Sequence, residues 1–309
     1  MEAYPRTLAE FESRFGAEEA CRTYLAQIRW PTGYRCLKCG ADRAWTTRDT
    51  LLKCRRCGHK SSTTAGTIFH RSHLPLRTWF RAMWWMTNQK HGLSALGLQR
   101  LLGLGSYRTA WSCLQKLRRA MVRPGRDRLS GKVEVDETYV GGIEVGTRGR
   151  HMGCKALVAV AAQEDGKGIG RIRLRQIPEA SSEGLVGFVR QAVEPGSTVI
   201  TDGWKSFRGL KEVGYKHKAR VVAKSRKTAS QLLPRVHRVI SLLKRWLLGT
   251  HQGAVSHEHL DRYLDEFTFR FNRRTSTHRG KLFFRLVEQA TRIGPSPFST
   301  LVAAPEHNP

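Results

Sequence analysis

Apolar residues recur at helical spacing through the start of the chain, at Leu8, Phe11, Phe15, Cys21, Leu25 and Ile28, which predicts one or two amphipathic helices over 1–30. Over 31–62 the periodicity stops, and Cys, Gly, Thr and basic residues dominate. Helical spacing returns over 63–125 with an aromatic cast, Trp79, Phe80, Trp84, Trp85 and Trp111. Arg123-Pro124-Gly125 then interrupts it, since proline ends a helix and glycine permits a turn. A domain boundary is expected near 125–130.

Beyond 131 the pattern is mixed. Lys132 to Val140 alternates as a strand, and Lys155 to Ala162 and Arg171 to Ile177 read as two more, with glycine-containing turns between. Ser182 to Val193 reads as a helix, Thr198 to Thr201 as a short buried strand, 204–212 as a helix and Ala219 to Ala223 as a further strand. Arg235 to Leu248 and His257 to Asn272 read as helices. This order is that of a ribonuclease-H-like α/β domain with a mixed five-stranded sheet, expected over 131–290. The stretch 291–309 holds Pro, Ser and Asn and reads as a loose tail. A multidomain chain is therefore expected, with α-helical and cysteine-rich parts first and an α/β core second.

Charge narrows the partners. Lys and Arg number 54 against 25 acids, a formal net charge of +29. Such a field attracts polyanions, and each phosphate neutralised releases condensed counterions, so double-stranded DNA is the expected partner. No apolar run approaches the roughly 18 residues needed to span a bilayer, so no membrane partner is expected and the reading is cytoplasmic, on the nucleoid. The seven cysteines are accordingly not read as a disulfide framework.

Four of them form two CxxC pairs, Cys36/Cys39 and Cys54/Cys57, separated by 14 residues. Each pair can present two thiolates from one tight turn, and two such turns complete a tetrahedral structural Zn2+ site in a zinc ribbon over 31–62. Gly40 and Gly58 follow the second Cys of each pair, where a turn needs positive φ. Cys21, Cys113 and Cys154 read as packing residues. Within 63–125, Ser94 and Ser106 are placed to cap two helices joined by Gly103-Leu104-Gly105, a helix-turn-helix. In its second helix Ala110, Trp111, Leu114, Leu117 and Met121 make the apolar stripe. Tyr107, Arg108, Ser112, Gln115, Arg118 and Arg119 are left to face DNA; a plain helical hairpin with a solvated basic face is the alternative.

In Val133-Glu134-Val135-Asp136 the valines share one strand face and the acids the other. An acid in mid-strand is costly without a cation or donor to satisfy it. Asp202 ends the short strand before Gly203-Trp204. Two carboxylates on neighbouring strands suit a Mg2+ or Mn2+ clamp, because hard divalent ions take oxygen ligands and keep positions open for phosphate and water. His237 and Lys244 lie seven apart, two turns along one helix face, beside the apolar stripe Val236, Ile240, Leu243 and Leu247. A surface or capping histidine and a solvated lysine are the alternatives.

The chain resembles bacterial insertion-sequence transposases of the zinc-ribbon kind, within the retroviral-integrase-like superfamily. The resemblance covers nearly the whole length. It rests on the four cysteines, on Thr64-Ala-Gly-Thr-Ile-Phe-His70, on Val133-Glu-Val-Asp-Glu-Thr-Tyr-Val-Gly-Gly142, on Thr201-Asp-Gly-Trp204, on Leu243-Lys-Arg-Trp-Leu-Leu-Gly-Thr-His251 and on Tyr263-Leu-Asp-Glu-Phe-Thr-Phe-Arg-Phe-Asn-Arg-Arg274. It implies two catalytic aspartates, matching Asp136 and Asp202, and a third residue, usually Glu, with a basic residue seven positions later. Here those positions hold His237 and Lys244. Neutral His is the softer ligand and shifts the expectation from magnesium toward manganese or zinc; Asn272 or Glu266 could instead supply an oxygen.

The resemblance implies DNA strand cleavage at element ends and transfer of the freed 3′-hydroxyl into target DNA, with Lys244 on a phosphate. Lys224, Arg226 and Lys227, in the basic stretch 216–227, are candidates to track DNA, with a solvated loop as the alternative. In Phe269-Arg-Phe-Asn-Arg-Arg274 the aromatics are expected in the core and Arg273 on phosphate. A homo-oligomer is expected because two element ends must be joined. The competing readings are a catalytically inactive DNA-binding regulator or domesticated relic, and a ribonuclease-H-like nuclease.

Overall fold

A computed structural model describes residues 4–123, 125–141, 155–253 and 255–302. Pro124, Gly142 and Cys154, named above, lie outside the described residues. The chain begins with α1 (Leu8–Phe15), α2 (Glu18–Arg29), β1 (Ala44–Thr46), β2 (Leu52–Cys54), β3 (Lys60–Ser61), α3 (Leu76–Asn88), α4 (Ala95–Leu102) and α5 (Tyr107–Ala120). There follow β4 (Lys132–Val140), β5 (Ala156–Asp165), β6 (Gly168–Ile177), α6 (Ser182–Ala192), β7 (Thr198–Thr201), β8 (Lys216–Ala219), α7 (Ala229–Leu232), α8 (Pro234–His251) and α9 (Leu260–Phe271). The last two helices are α10 (Arg279–Arg292) and α11 (Phe298–Val302). Among the described residues no helix is long and apolar enough to cross a membrane.

Two compact units result, one taking the chain up to Arg123 and again from Ser276, the other running from 124 to Thr275. The α/β unit therefore closes at Thr275 and not at 290. The reason is aromatic packing: Phe283 of α10 sits in the first unit's core, 5.3 Å from Phe11, 5.4 Å from Phe15 and 5.5 Å from Phe80. Nor is the tail wholly loose, because α11 folds within 291–309 and buries Leu301. In the same unit Glu18 of α2 accepts the first backbone N–H groups of α3, from Leu76 at 2.7 Å and Arg77 at 3.0 Å. That supplies the anionic cap which Pro75 cannot. Ser94 and Ser106 cap α4 and α5 as the sequence indicates, and Gly103 turns between them at φ 61°.

The second unit is one mixed sheet in the order β6-β5-β4-β7-β8. β5 runs antiparallel to both β4 and β6, while β7 is parallel to β4 and β8 to β7. With α6 on one face and α8 and α9 on the other, this is the ribonuclease-H-like arrangement. β5 is buried on both faces, so it reads as an almost unbroken apolar run. Leu157, Ala159 and Ala161 join the α6 core; Val158, Val160 and Ala162 join the α8 core with Val236, Ile240, Leu243 and Leu247.

The last strand is Lys216–Ala219 rather than Ala219 to Ala223, and a six-residue 3-10 turn, Lys205–Leu210, stands where a helix was expected. Each difference comes from a stretch too short for its period to fix the boundary. The β6 edge is closed by α9: Asp261 Oδ1 accepts from Gln176 N at 2.7 Å, and Asn272 pairs with both backbone groups of Ile172 at 2.7 and 3.1 Å.

Candidate active site and zinc centre

The two CxxC turns have the same backbone. Cys36 N donates to Ala41 O and Gly40 N to Cys36 O; Cys54 N donates to His59 O and Gly58 N to Cys54 O. Gly40 at φ 72° and Gly58 at φ 68° make both closures without Cβ strain. The four sulfurs all lie within 4.8 Å of one another, with Cys36–Cys57 at 3.6 Å and Cys39–Cys54 at 3.7 Å. Four sulfurs bonded tetrahedrally to one zinc ion are about 3.8 Å apart. The thiols therefore have the spacing of a closed structural zinc site. Cys21 and Cys113 are buried, and burial pushes both thiols up to about 12. They pack as neutral groups.

Asp136 and Asp202 are brought to matching levels of the sheet by strand register. The parallel pairing of β4 with β7 ends at Glu134 opposite Ile200. Asp136 and Asp202 each lie two residues further, so they occupy matching positions on the α8 face where the two strands part. Clefts outside the carboxyl ends of parallel strands are where open α/β sheets take ligands. Asp202 Oδ1 accepts the Trp204 N–H at 2.9 Å, closing a turn through Gly203. Gly203 has φ 85°, and a Cβ there would lie 2.8 Å from Val221 Cγ2, so no larger residue holds this turn unchanged. Asp136 Oδ1 accepts the Glu137 N–H at 3.0 Å.

α8 brings His237 to the same place, its Nε2 3.5 Å from Asp136 Oδ2. Burial pushes the imidazole below its ordinary range, against the pull of Glu134 and Asp202, so His237 is neutral at pH 7. Lys244 stands two turns along, its ammonium pushed down first by partial desolvation and then by Lys155. The donor set is thus two carboxylates and one neutral imidazole, which fits a divalent cation. Among the described residues, however, the only donors mutually within 4.8 Å in groups of three or more are the four cysteines. The Asp136, Asp202 and His237 donors are spread more widely than a single-ion cage.

Sequence reasoning left Glu134 without a role. It is 1% exposed, and its carboxylate accepts from Arg235 N at 2.7 Å, Val236 N at 3.0 Å and Arg235 Nη1 at 3.1 Å. α8 begins at Leu233-Pro234 with no side-chain cap of its own, so an acid on β4 caps it from outside and favours its dipole. Arg235 also reaches Glu164 and the carbonyls of Gly166 and Gly168 at the β5–β6 turn. This node sets α8, and with it His237, against β4. The available signal was a buried acid together with a helix lacking Ser, Thr, Asp or Asn before its proline. Glu134→Gln is expected to lose about 2 kcal/mol in denaturant unfolding, because it removes the anion that caps α8 and leaves Glu164 as the carboxylate partner of Arg235. An unchanged midpoint would remove Glu134 from this role.

The expected DNA-contact residues fare unevenly. Tyr107 is exposed, but Gln115 and Arg118 are fully buried and cannot read DNA. The reason is that α3, α4, α10 and α11 all pack on α5, leaving its outer face narrower than its sequence pattern indicates. Arg108 lies over the Phe298 ring at 3.8 Å, and Arg119 donates to Ser296. Lys224, Arg226 and Lys227 are exposed on the segment between β8 and α7. That segment starts where Arg220 N donates to Thr201 O, beside Asp202. Phe269 and Phe271 are core, as expected, but Arg273 lies on the Phe269 ring at 3.9 Å and donates to its carbonyl. Asn272 is committed to β6, which β5 separates from β4 in the sheet, and Glu266 is buried in α9.

Two family profiles match stretches of this chain. A family profile described as a transposase zinc-ribbon domain matches residues 16–60, and one described as an ISXO2-like transposase domain matches 128–272. An uncharacterized protein in transposable element ISH50 of Halobacterium salinarum is 27% identical over 276 residues, 83% of this chain and 91% of the relative. Distant likenesses among solved structures include a simian T-cell lymphotropic virus intasome in complex with PP2A regulatory subunit B56 gamma, at TM-score 0.33 and 13% identity over 68% of this chain and 74% of that one. Another is the Mos1 transposase paired-end complex with left transposon end, at TM-score 0.31 and 13% identity over 69% and 75%. The two profiles follow each other on one chain, the first over the four-cysteine ribbon and the second over the sheet that carries Asp136 and Asp202, so the chain is similar over these two stretches to transposases with a zinc ribbon and an ISXO2-like domain.

Proposed function

We propose that this protein binds the ends of an insertion element and catalyses metal-dependent DNA strand cleavage and strand transfer, in the cytoplasm at the nucleoid. One observation carries the reading: Asp136 and Asp202 occupy matching register positions where β4 and β7 part, and His237 Nε2 stands 3.5 Å from Asp136. Asp136 and Asp202 would hold Mg2+ or Mn2+, His237 would complete or orient the set, and the ion would supply positive charge at the attacked phosphodiester. The remaining work falls to the chain. The turn at Gly203 and the cap from Glu134 fix the carboxylate and the imidazole before DNA arrives, so little reorganisation is needed at reaction. Lys244 binds a phosphate near the cut. Lys224, Arg226 and Lys227 track the backbone beside Asp202. In-line attack, first by water and then by the freed 3′-hydroxyl, needs positioning and charge rather than a covalent protein intermediate. Joining two element ends suits a homo-oligomer.

The test is cleavage and joining of labelled element-end DNA with magnesium or manganese, for wild type and His237→Ala. Joining by wild type and failure of the variant support the reading and the role of His237. Binding without cutting under either metal would replace it with a DNA-binding regulator. Hydrolysis without joining would replace it with a nuclease.

A further inference from the structure

The outer face of the zinc ribbon carries side chains that neither the zinc centre nor the helical core uses. Strand alternation puts Thr46 and Leu52 on one face of the ribbon, where they line an open pocket with Arg22 and Ala26 of α2. The opposite face presents Trp45, Lys53 and Lys60, which face one another across the three strands. Arg55 N donates to Arg43 O at 2.9 Å, extending the β1–β2 ladder. Two residues on from Trp45 and Lys53, Arg43 and Arg55 form the next pair on that same face. Trp45 is 43% exposed, with the Lys53 ammonium 5.2 Å from its ring centre. Arg43, Arg55 and Lys60 are exposed. Over 31–62 there are eight Lys and Arg against two acids, Asp42 and Asp49.

A lone exposed aromatic is ordinary, but an exposed indole inside a row of four cations is an arrangement that suits a nucleic-acid strand. The helix expected from its sequence pattern to meet DNA is largely occupied within its own unit, through the burial of Gln115 and Arg118 and the contacts of Arg108 and Arg119. We propose that the first unit meets DNA through this ribbon face, with Arg43, Lys53, Arg55 and Lys60 on phosphates and Trp45 against a base or sugar. The choice of DNA over other polyanions rests on the transposase reading.

The test uses the full-length, zinc-loaded protein and a short fluorescein-labelled duplex, with anisotropy read across a salt series. Arg43→Gln/Arg55→Gln is expected to weaken binding about 10-fold and to lower the slope of log K against log salt by about 2, since each phosphate contact contributes roughly 0.9. Trp45→Ala is expected to weaken binding about 10-fold with the slope unchanged, and Trp45→Phe to restore most of it. A full zinc complement in each variant shows that the ribbon has folded. Variants that hold zinc and bind with wild-type affinity and slope overturn the ribbon-face inference alone. A wild-type protein that binds no duplex at any salt overturns it together with the transposase reading.

Discussion

Asp202→Asn is expected to lower strand cleavage at least about 10³-fold while leaving the thermal midpoint almost unchanged. The amide oxygen still accepts the Trp204 N–H that now closes the turn at 2.9 Å, so the geometry of the Gly203 corner survives. What disappears is a negative charge. Metal charge at a phosphodiester is worth several kcal/mol of transition-state stabilisation, and ~4 kcal/mol corresponds to about 10³ in rate. Asp136→Asn is expected to behave alike, because its Oδ1 also accepts a backbone N–H, from Glu137 at 3.0 Å. The measurement is single-turnover cleavage of end-labelled DNA beside a melting curve for each variant. Near-wild-type rates from either variant would remove it from the proposed metal site. A lowered midpoint would show that the carboxylate is structural instead.

The second large effect concerns the first unit. Cys54→Ser, or a strong zinc chelator, is expected to unfold the ribbon, because structural zinc in small zinc-finger modules supplies roughly 10–16 kcal/mol of folding free energy at pH 7. Three strands of two or three residues cannot bury enough surface to replace that. The helical core should outlast the ribbon, since Phe11, Phe80 and Phe283 pack without it. Its tie to the ribbon exit, where Arg29 donates to the carbonyls of Thr63 and Ala65, should loosen. Zinc content by metal analysis and proteolysis across 31–62 report the outcome directly. A ribbon that remains protease-resistant without zinc would remove the structural role from the four thiols. The α/β unit, which contains none of these cysteines, should melt unchanged.

Much of this protein was decided locally and is readable in the chain. The CxxC-Gly turns close through their own backbone hydrogen bonds, so spacing alone indicated the sulfur cluster. Caps at Ser94 and Ser106 act within three residues of themselves. The face alternation of β4 and the stripe of α8 follow from periods of 2 and 3.6, so the acids and His237 could be assigned to faces before any packing was known. Tertiary structure decided what depends on partners far along the chain. Phe283 belongs to the first unit because its ring completes an aromatic core begun at Phe11, more than two hundred residues earlier. Gln115 and Arg118 looked outward by residue type, yet neighbouring helices bury them, since a helix's polarity pattern does not state how many neighbours it has. Glu134 showed itself only as an acid in need of a donor; the donors are the N–H groups of a helix that starts a hundred residues later. The chain itself offered the candidate site residues, and non-local hydrogen bonding and packing placed them, because those energies depend on contacts that no local period encodes.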